Sequence, residues 1–171
     1  MTHKHLVLSL LLAILAFVGC KKDEDTTDPT PVTPLATHAI LPGEGIKEVK
    51  IGAAVQTAID FFGTPFPISP SVNGVYTHYI IYTSKGATVY CEPTTNATFD
   101  PQMKIARIRL SAPFDGKTVK DIGIGSSKTE VKAAYGDPTS SHPTNGDKYA
   151  IGITFIYDNA EKVKNIDVQK V

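Results

Sequence analysis

The side chains best suited to covalent chemistry in this 171-residue chain are its two cysteines, Cys20 and Cys91. Cys91 alternates with Val89 along a predicted strand, which is typical of a small residue in a core. A nucleophilic thiol needs a neighbouring base that lowers its pKa, and His78 is the histidine that falls on a predicted strand. The pattern favours a core cysteine, and an enzyme that uses Cys91 and His78 is an alternative.

Tyrosine and arginine side chains suit binding rather than catalysis. On the predicted strand that ends at Tyr82, alternation places Tyr76 and Tyr82 on the same side. Tyr90 lies on the next strand, and the chain's two arginines, Arg107 and Arg109, share one side of a third. Because tyrosine and arginine are enriched at the hot spots of protein interfaces, these five residues predict a protein-binding face. Ordinary cross-strand packing is the alternative.

Composition and spacing exclude several other functions. The chain has 17 basic and 17 acidic residues, so it lacks the charge excess of a general nucleic-acid binder. His38, His78 and His142 are scattered without the spacing of metal ligands. A stretch that resembles a phosphate-binding loop begins at Ser111, where that loop needs glycine. We therefore expect no catalytic residue, cofactor, metal or nucleic-acid partner.

Residues 1–19 have the features of an export signal. Lys4 provides the positively charged N-terminal region of a signal peptide, and the apolar run 6–18 is broken only by Ser9. This run is too short for a bilayer core, which needs roughly 20 residues, and it fits the centre of a signal peptide. The sequence therefore predicts cleavage just before Cys20.

The residues around Cys20 resemble the lipobox of bacterial lipoproteins, in which the cysteine is acylated. Gly19 and Cys20 match that motif, whereas Phe17 stands where leucine is usual. The run 21–25 resembles the acidic export tag of surface lipoproteins in the Bacteroidetes group. The resemblance implies a membrane anchor through acyl chains on Cys20, which are stable when two or more are present. Lys21 in place of aspartate favours the outer membrane, at its periplasmic face or at the cell surface.

Residues 20–37 are expected to form a flexible tether rich in proline, threonine and acidic residues. Pro29, Pro31 and Pro34 disfavour helices and sheet ladders and favour an extended chain. At about 3.1 Å per residue, the 16 residues 21–36 of this tether could hold a domain roughly 50 Å from a membrane. The globular part should begin at residue 38.

The rest of the chain contains an internal repeat at an offset of 73 residues. The matched landmarks are Ile51-Gly52 with Phe62-Gly63-Thr64-Pro65, and Ile124-Gly125 with Tyr135-Gly136-Asp137-Pro138. Between the landmarks the apolar spacing is helical, and Ser127 with Glu130 forms a capping-box pattern. Apolar runs separated by turns follow each helix. The pattern predicts an α+β fold of two layers, with two tandem helix-plus-antiparallel-sheet repeats at 38–112 and 113–171.

These landmarks resemble the repeats of β-lactamase-inhibitory proteins and of the BamE (SmpA/OmlA) group of outer-membrane assembly lipoproteins. The likeness extends over about 45–168 and rests on glycine, proline and apolar positions. It implies a protein that binds other proteins and does not catalyse a reaction, and it transfers no specific partner.

The sequence therefore predicts a lipid-anchored envelope protein that serves as a non-catalytic binding or scaffold module. An inhibitor of a secreted hydrolase is one alternative, which rests on fold analogy alone. The enzyme that uses Cys91 and His78 is the other.

Overall fold

The computed structural model describes residues 39–64, 66–71, 77–144 and 146–171, and for 66–71 it describes the backbone alone. The predicted export signal, the acylated Cys20, the tether and Tyr76 lie outside the described residues. In the part that is described, no helix is long and apolar enough to cross a membrane.

Antiparallel strands make up most of the described chain. Eight of its strands form one sheet in the order β3-β4-β5-β6-β10-β9-β8-β7, and β1 and β2 form a separate two-stranded sheet. The strands are β1 (Ile40–Leu41), β2 (Gly45–Ile46), β3 (Phe66–Ser71), β4 (Thr77–Tyr82), β5 (Ala87–Cys91), β6 (Ile105–Ser111), β7 (Ser140–His142), β8 (Gly146–Tyr149), β9 (Ile153–Tyr157) and β10 (Val163–Gln169). The described residues also form the helices α1 (Gln56–Phe62) and α2 (Lys128–Tyr135).

The expectation of an α+β fold with two tandem helix-plus-antiparallel-sheet repeats is wrong. The strands do not form one sheet per repeat, because β6 pairs directly with β10 and makes the large sheet continuous. The two helices of the described chain have only 7 and 8 residues. The repeated sequence landmarks mark local turns and helix ends, and they carry no information about which distant strands pair.

Strand register places polar residues in one row across the large sheet. The row runs through Thr88, Arg109, Asp167, Thr154 and Lys148, each of which lies opposite the next in strand register. Because side chains alternate along a strand, neighbours of this row point to the opposite side of the sheet. The row therefore belongs to one side, which we call the outer face.

The opposite side of the sheet is the core face, and it is fully apolar at its centre. Val89, Ile108 and Val168 lie in register there and are 0% exposed. Both helices pack on this side, since the Phe62 ring lies 4.9 Å from Tyr82 and Tyr135 lies 5.4 Å from Phe155, between ring centroids. An antiparallel sheet of this kind buries one side and leaves the other to water.

Local signals place the ends of the helices as expected. The predicted capping box is confirmed: Ser127 Oγ accepts a hydrogen bond from the Glu130 backbone at 3.2 Å, and the Glu130 carboxylate accepts one from the Ser127 backbone at 2.6 Å. Both helices end at a glycine with positive φ, +95° at Gly63 and +78° at Gly136. Glycine reaches such angles without the steric cost that other residues meet.

Candidate protein-binding face

The outer face carries the two arginines of β6 and, beside them, side chains from the neighbouring strands. Its second row is Tyr79, Tyr90, Arg107 and Gln169, in register on β4, β5, β6 and β10. Each of these side chains is partly exposed. The strands fix their backbone positions, so the side chains meet in a defined order across the sheet.

Arg109 forms a two-point ion pair with Asp167. Its Nε lies 2.6 Å from Asp167 Oδ1 and its Nη2 lies 2.7 Å from Oδ2. This hydrogen bonding raises the pKa of the Arg109 guanidinium, an effect that burial partly opposes. Asp167 is only 7% exposed, so most of its carboxylate is covered. A paired geometry of this kind is strong and directional, and it ties β6 to β10 at the centre of the sheet.

Arg107 is held by an aromatic ring, and its hydrogen-bond donors are less engaged than those of Arg109. Its guanidinium carbon lies 3.9 Å above the centroid of the Tyr90 ring, which is a cation–π arrangement. Its Nη1 lies 3.7 Å from Asp167 Oδ2, which is beyond hydrogen-bond distance. Tyr79 flanks Tyr90 with ring centroids 5.9 Å apart. The guanidinium is therefore oriented by stacking, and its donors are not used up by Asp167.

Three of the five residues predicted for the binding face lie together on the outer face, namely Tyr90, Arg107 and Arg109. Tyr82 does not join them, and this expectation is corrected: it points to the core and is 4% exposed. Tyr76 lies outside the described residues. The alternation that groups His78, Ile80 and Tyr82 on one side of β4 is confirmed, but that side is the core face.

Sequence reasoning missed two members of the outer face, Tyr79 and Asp167. Asp167 lies between Ile166 and Val168, so alternation sets it apart from the apolar side of β10. That signal could have identified an acidic partner on the same side as the arginines. The pairing of β10 with β6 could not have been obtained in the same way, because it depends on the three-dimensional strand order.

The alternative catalytic pair is buried in the core. Cys91 is 0% exposed, and burial raises the pKa of its thiol to about 11. His78 is 1% exposed, and its Nε2 donates a hydrogen bond to the Ala97 carbonyl at 3.0 Å. A thiol with a raised pKa stays protonated near neutral pH, which is the opposite of what a nucleophile needs. The arrangement therefore suits packing.

Metal-binding side chains do not gather in the described residues. No group of three or more histidine, cysteine, aspartate or glutamate side chains there could hold a metal ion.

Because Tyr82 is buried, we expect the folded protein to lose stability at alkaline pH. Burial raises the pKa of Tyr82 to about 12, with a smaller contribution from Cys91. The unfolded chain therefore releases this proton from about pH 10, while the folded chain holds it until about pH 12. Stability from this group is present below pH 10 and is lost as the pH rises through 12.

We expect Tyr82→Phe to flatten the fall in unfolding free energy between pH 10 and 12. The Tyr82 hydroxyl has no hydrogen-bond partner among the described residues, so its loss should cost little at pH 8. Urea unfolding at pH 8, 10 and 11.5 measures both effects, and the pH 8 comparison is the control. Parallel curves for wild type and variant across this range would contradict the expectation.

The chain was compared with family models, curated proteins and solved structures. No family model matches the chain, and no curated protein matches it. Among solved structures, the chain is similar to a cysteine-rich secretory protein from Staphylococcus aureus subsp. aureus Mu50, with 14% identity and a TM-score of 0.44. The likeness covers 70% of this chain and 44% of that one, so the chain spans less than half of that structure's length.

The resemblance to BamE-group lipoproteins and to β-lactamase-inhibitory repeats is corrected by these findings. The comparisons support neither family, since no family model and no curated protein matches the chain. The shared landmarks were glycines, prolines and apolar positions, and such residues mark turns and helix ends in many unrelated folds.

Proposed function

We propose that this chain is a lipid-anchored protein of the cell envelope that binds another protein through its outer face and catalyses no reaction. The observation that carries the proposal is the Arg107 guanidinium, whose carbon lies 3.9 Å from the centroid of the Tyr90 ring and whose side chain remains 34% exposed. Arginine and tyrosine supply much of the binding energy at protein interfaces. Here they stand together on the solvated side of a sheet.

The outer face is ordered before any partner arrives. Stacking on Tyr90 restricts Arg107, and the ion pair with Asp167 restricts Arg109. Side chains that are already fixed lose less conformational entropy on binding, so more of the contact energy appears as affinity.

The anchoring part of the proposal rests on the sequence. Cys20, with Gly19 before it and charged residues after it, fits acylation at the start of a mature lipoprotein. Lys21 supports the outer membrane as the location. Loss of acyl chains and of membrane retention in a Cys20→Ser variant tests this part, and a variant that stays in the membrane fraction would contradict it.

Position-specific cross-linking tests the binding face. A photo-reactive residue at Thr154 or at Gln169 lies in the two outer-face rows, whereas one at the exposed Ala133 lies on α2. In the cells that make this protein, we expect one discrete protein adduct from both outer-face positions and none from Ala133.

The result also separates the alternatives. Equal adducts from all three positions, or none from Thr154 and Gln169, would contradict a binding face. An adduct with a secreted hydrolase, whose activity the purified chain blocks, would assign an inhibitory role to the same face.

A further inference from the structure

A broad groove lies on the outer face beside the arginine pair. It has a volume of about 830 Å³ and crosses β6, β10, β9, β8 and the edge strand β7. Arg107, Arg109, Lys148 and Lys164 are among the residues that line it. The groove therefore continues the proposed binding face toward the edge of the sheet.

The charge of this groove is strongly one-sided. Four lysine and arginine side chains line it, against the single carboxylate of Asp167. Arg109 already engages both oxygens of that carboxylate. Lys148 and Lys164 form no ion pair with any described residue. The whole chain carries no net charge, so this excess of positive charge is local.

Most of the remaining lining is polar, although Pro143 and Ile156 also belong to it. Ser140, Thr154, Asn165 and Gln169 contribute hydroxyl and amide groups. Such groups suit an extended polypeptide, whose backbone and side chains both need hydrogen-bond partners. They do not suit an acyl chain, which requires apolar walls.

We propose that this groove binds an acidic, extended segment of the partner protein, rich in aspartate and glutamate. The inference rests on the proposed function and names the chemistry of its partner. Arg107 presents a planar guanidinium held on Tyr90, which suits two-point recognition of a carboxylate. Lys148 and Lys164 supply point charges further along the groove, and these add attraction and faster association.

A synthetic peptide tests this chemistry without knowledge of the partner. The probe is a twelve-residue fluorescent peptide of alternating glutamate and serine. The matched control peptide has glutamine in place of each glutamate. With the purified full chain in detergent, anisotropy at low salt should show at least tenfold tighter binding of the glutamate peptide. This preference should shrink at high salt, because screening weakens exposed charge contacts.

Charge reversal at the groove is the decisive variant. Lys148→Glu with Lys164→Glu should weaken binding of the glutamate peptide by at least tenfold. The control is Lys47→Glu with Lys104→Glu, which changes the net charge equally at exposed positions that do not line the groove. The control should lose much less binding than the groove variant, because Lys47 and Lys104 do not line the groove and do not contact a peptide bound in it.

Three results would overturn the inference. They are equal binding of the two peptides, equal losses in the two double variants, and tighter binding of a single-stranded oligonucleotide than of the glutamate peptide. If the peptide experiments fail while Thr154 and Gln169 still give the discrete adduct, the acidic segment is rejected and the binding face is retained. If only the cross-linking experiment fails, the proposed function is rejected.

Discussion

Arg109→Ala should lower the free energy of unfolding by about 2 kcal/mol. The substitution leaves the covered Asp167 carboxylate without its two-point partner, since Arg107 stays 3.7 Å away. Loss of one partner of a fully buried ion pair costs about 3–5 kcal/mol. We expect less here because the Arg109 side chain is 33% exposed and water can reach the site. Urea unfolding at neutral pH measures the change.

The matched comparison is Lys50→Ala, which breaks an exposed pair with Glu44 at 3.1 Å. Such pairs contribute about 0–1 kcal/mol, so this variant should be close to wild type. Replacing Arg109 and Asp167 together by apolar residues should recover much of the loss. An Arg109→Ala effect as small as that of Lys50→Ala would show that the pair does not hold the sheet together.

Gly86→Ala should have the largest effect on stability, a loss of roughly 3 kcal/mol or more. Gly86 has φ +63° and ends the turn between β4 and β5. A Cβ there would meet the Ser111 carbonyl oxygen and lie 2.6 Å from the Phe114 nitrogen. Both obstacles are backbone atoms and cannot rotate away. Thermal and urea unfolding of the purified variant provide the measurement.

Gly136→Ala is the control that separates steric conflict from backbone strain. Gly136 also has a positive φ, +78°, but a Cβ there has no atom within 4 Å. We expect a loss of about 1–2 kcal/mol, the cost of an unfavourable backbone angle. Equal losses at Gly86 and Gly136 would mean that the close approach of 111–114 to the turn does not constrain the fold.

Local interactions could be predicted from the sequence because they depend on neighbours along the chain. The capping box of Ser127 and Glu130 is one example, and the glycine ends of both helices are another. The shared side of Arg107 and Arg109 also follows from alternation alone. These features need no knowledge of which distant segments meet.

The sequence did not predict which side of the sheet the side chains of a strand face, or which distant strand it pairs with. Alternation groups His78 with Tyr82, but an aromatic and a histidine are compatible with either side of a sheet, and here both are buried. The pairing of β6 with β10 joins residues 58 positions apart, as in Arg109 with Asp167. No local pattern determines such contacts, so the continuous sheet and the groove beside it were not predicted.

Affinity for the cross-linked partner, compared between wild type and Arg107→Ala, tests the account most directly. Arg107 contributes to the outer face through Tyr90 and not through the two-point ion pair, so its loss should leave the unfolding midpoint nearly unchanged. The account predicts at least tenfold weaker binding for Arg107→Ala and wild-type binding for Lys47→Ala, at an exposed position outside the face. Unchanged affinity in Arg107→Ala would contradict the claim that this face binds the partner.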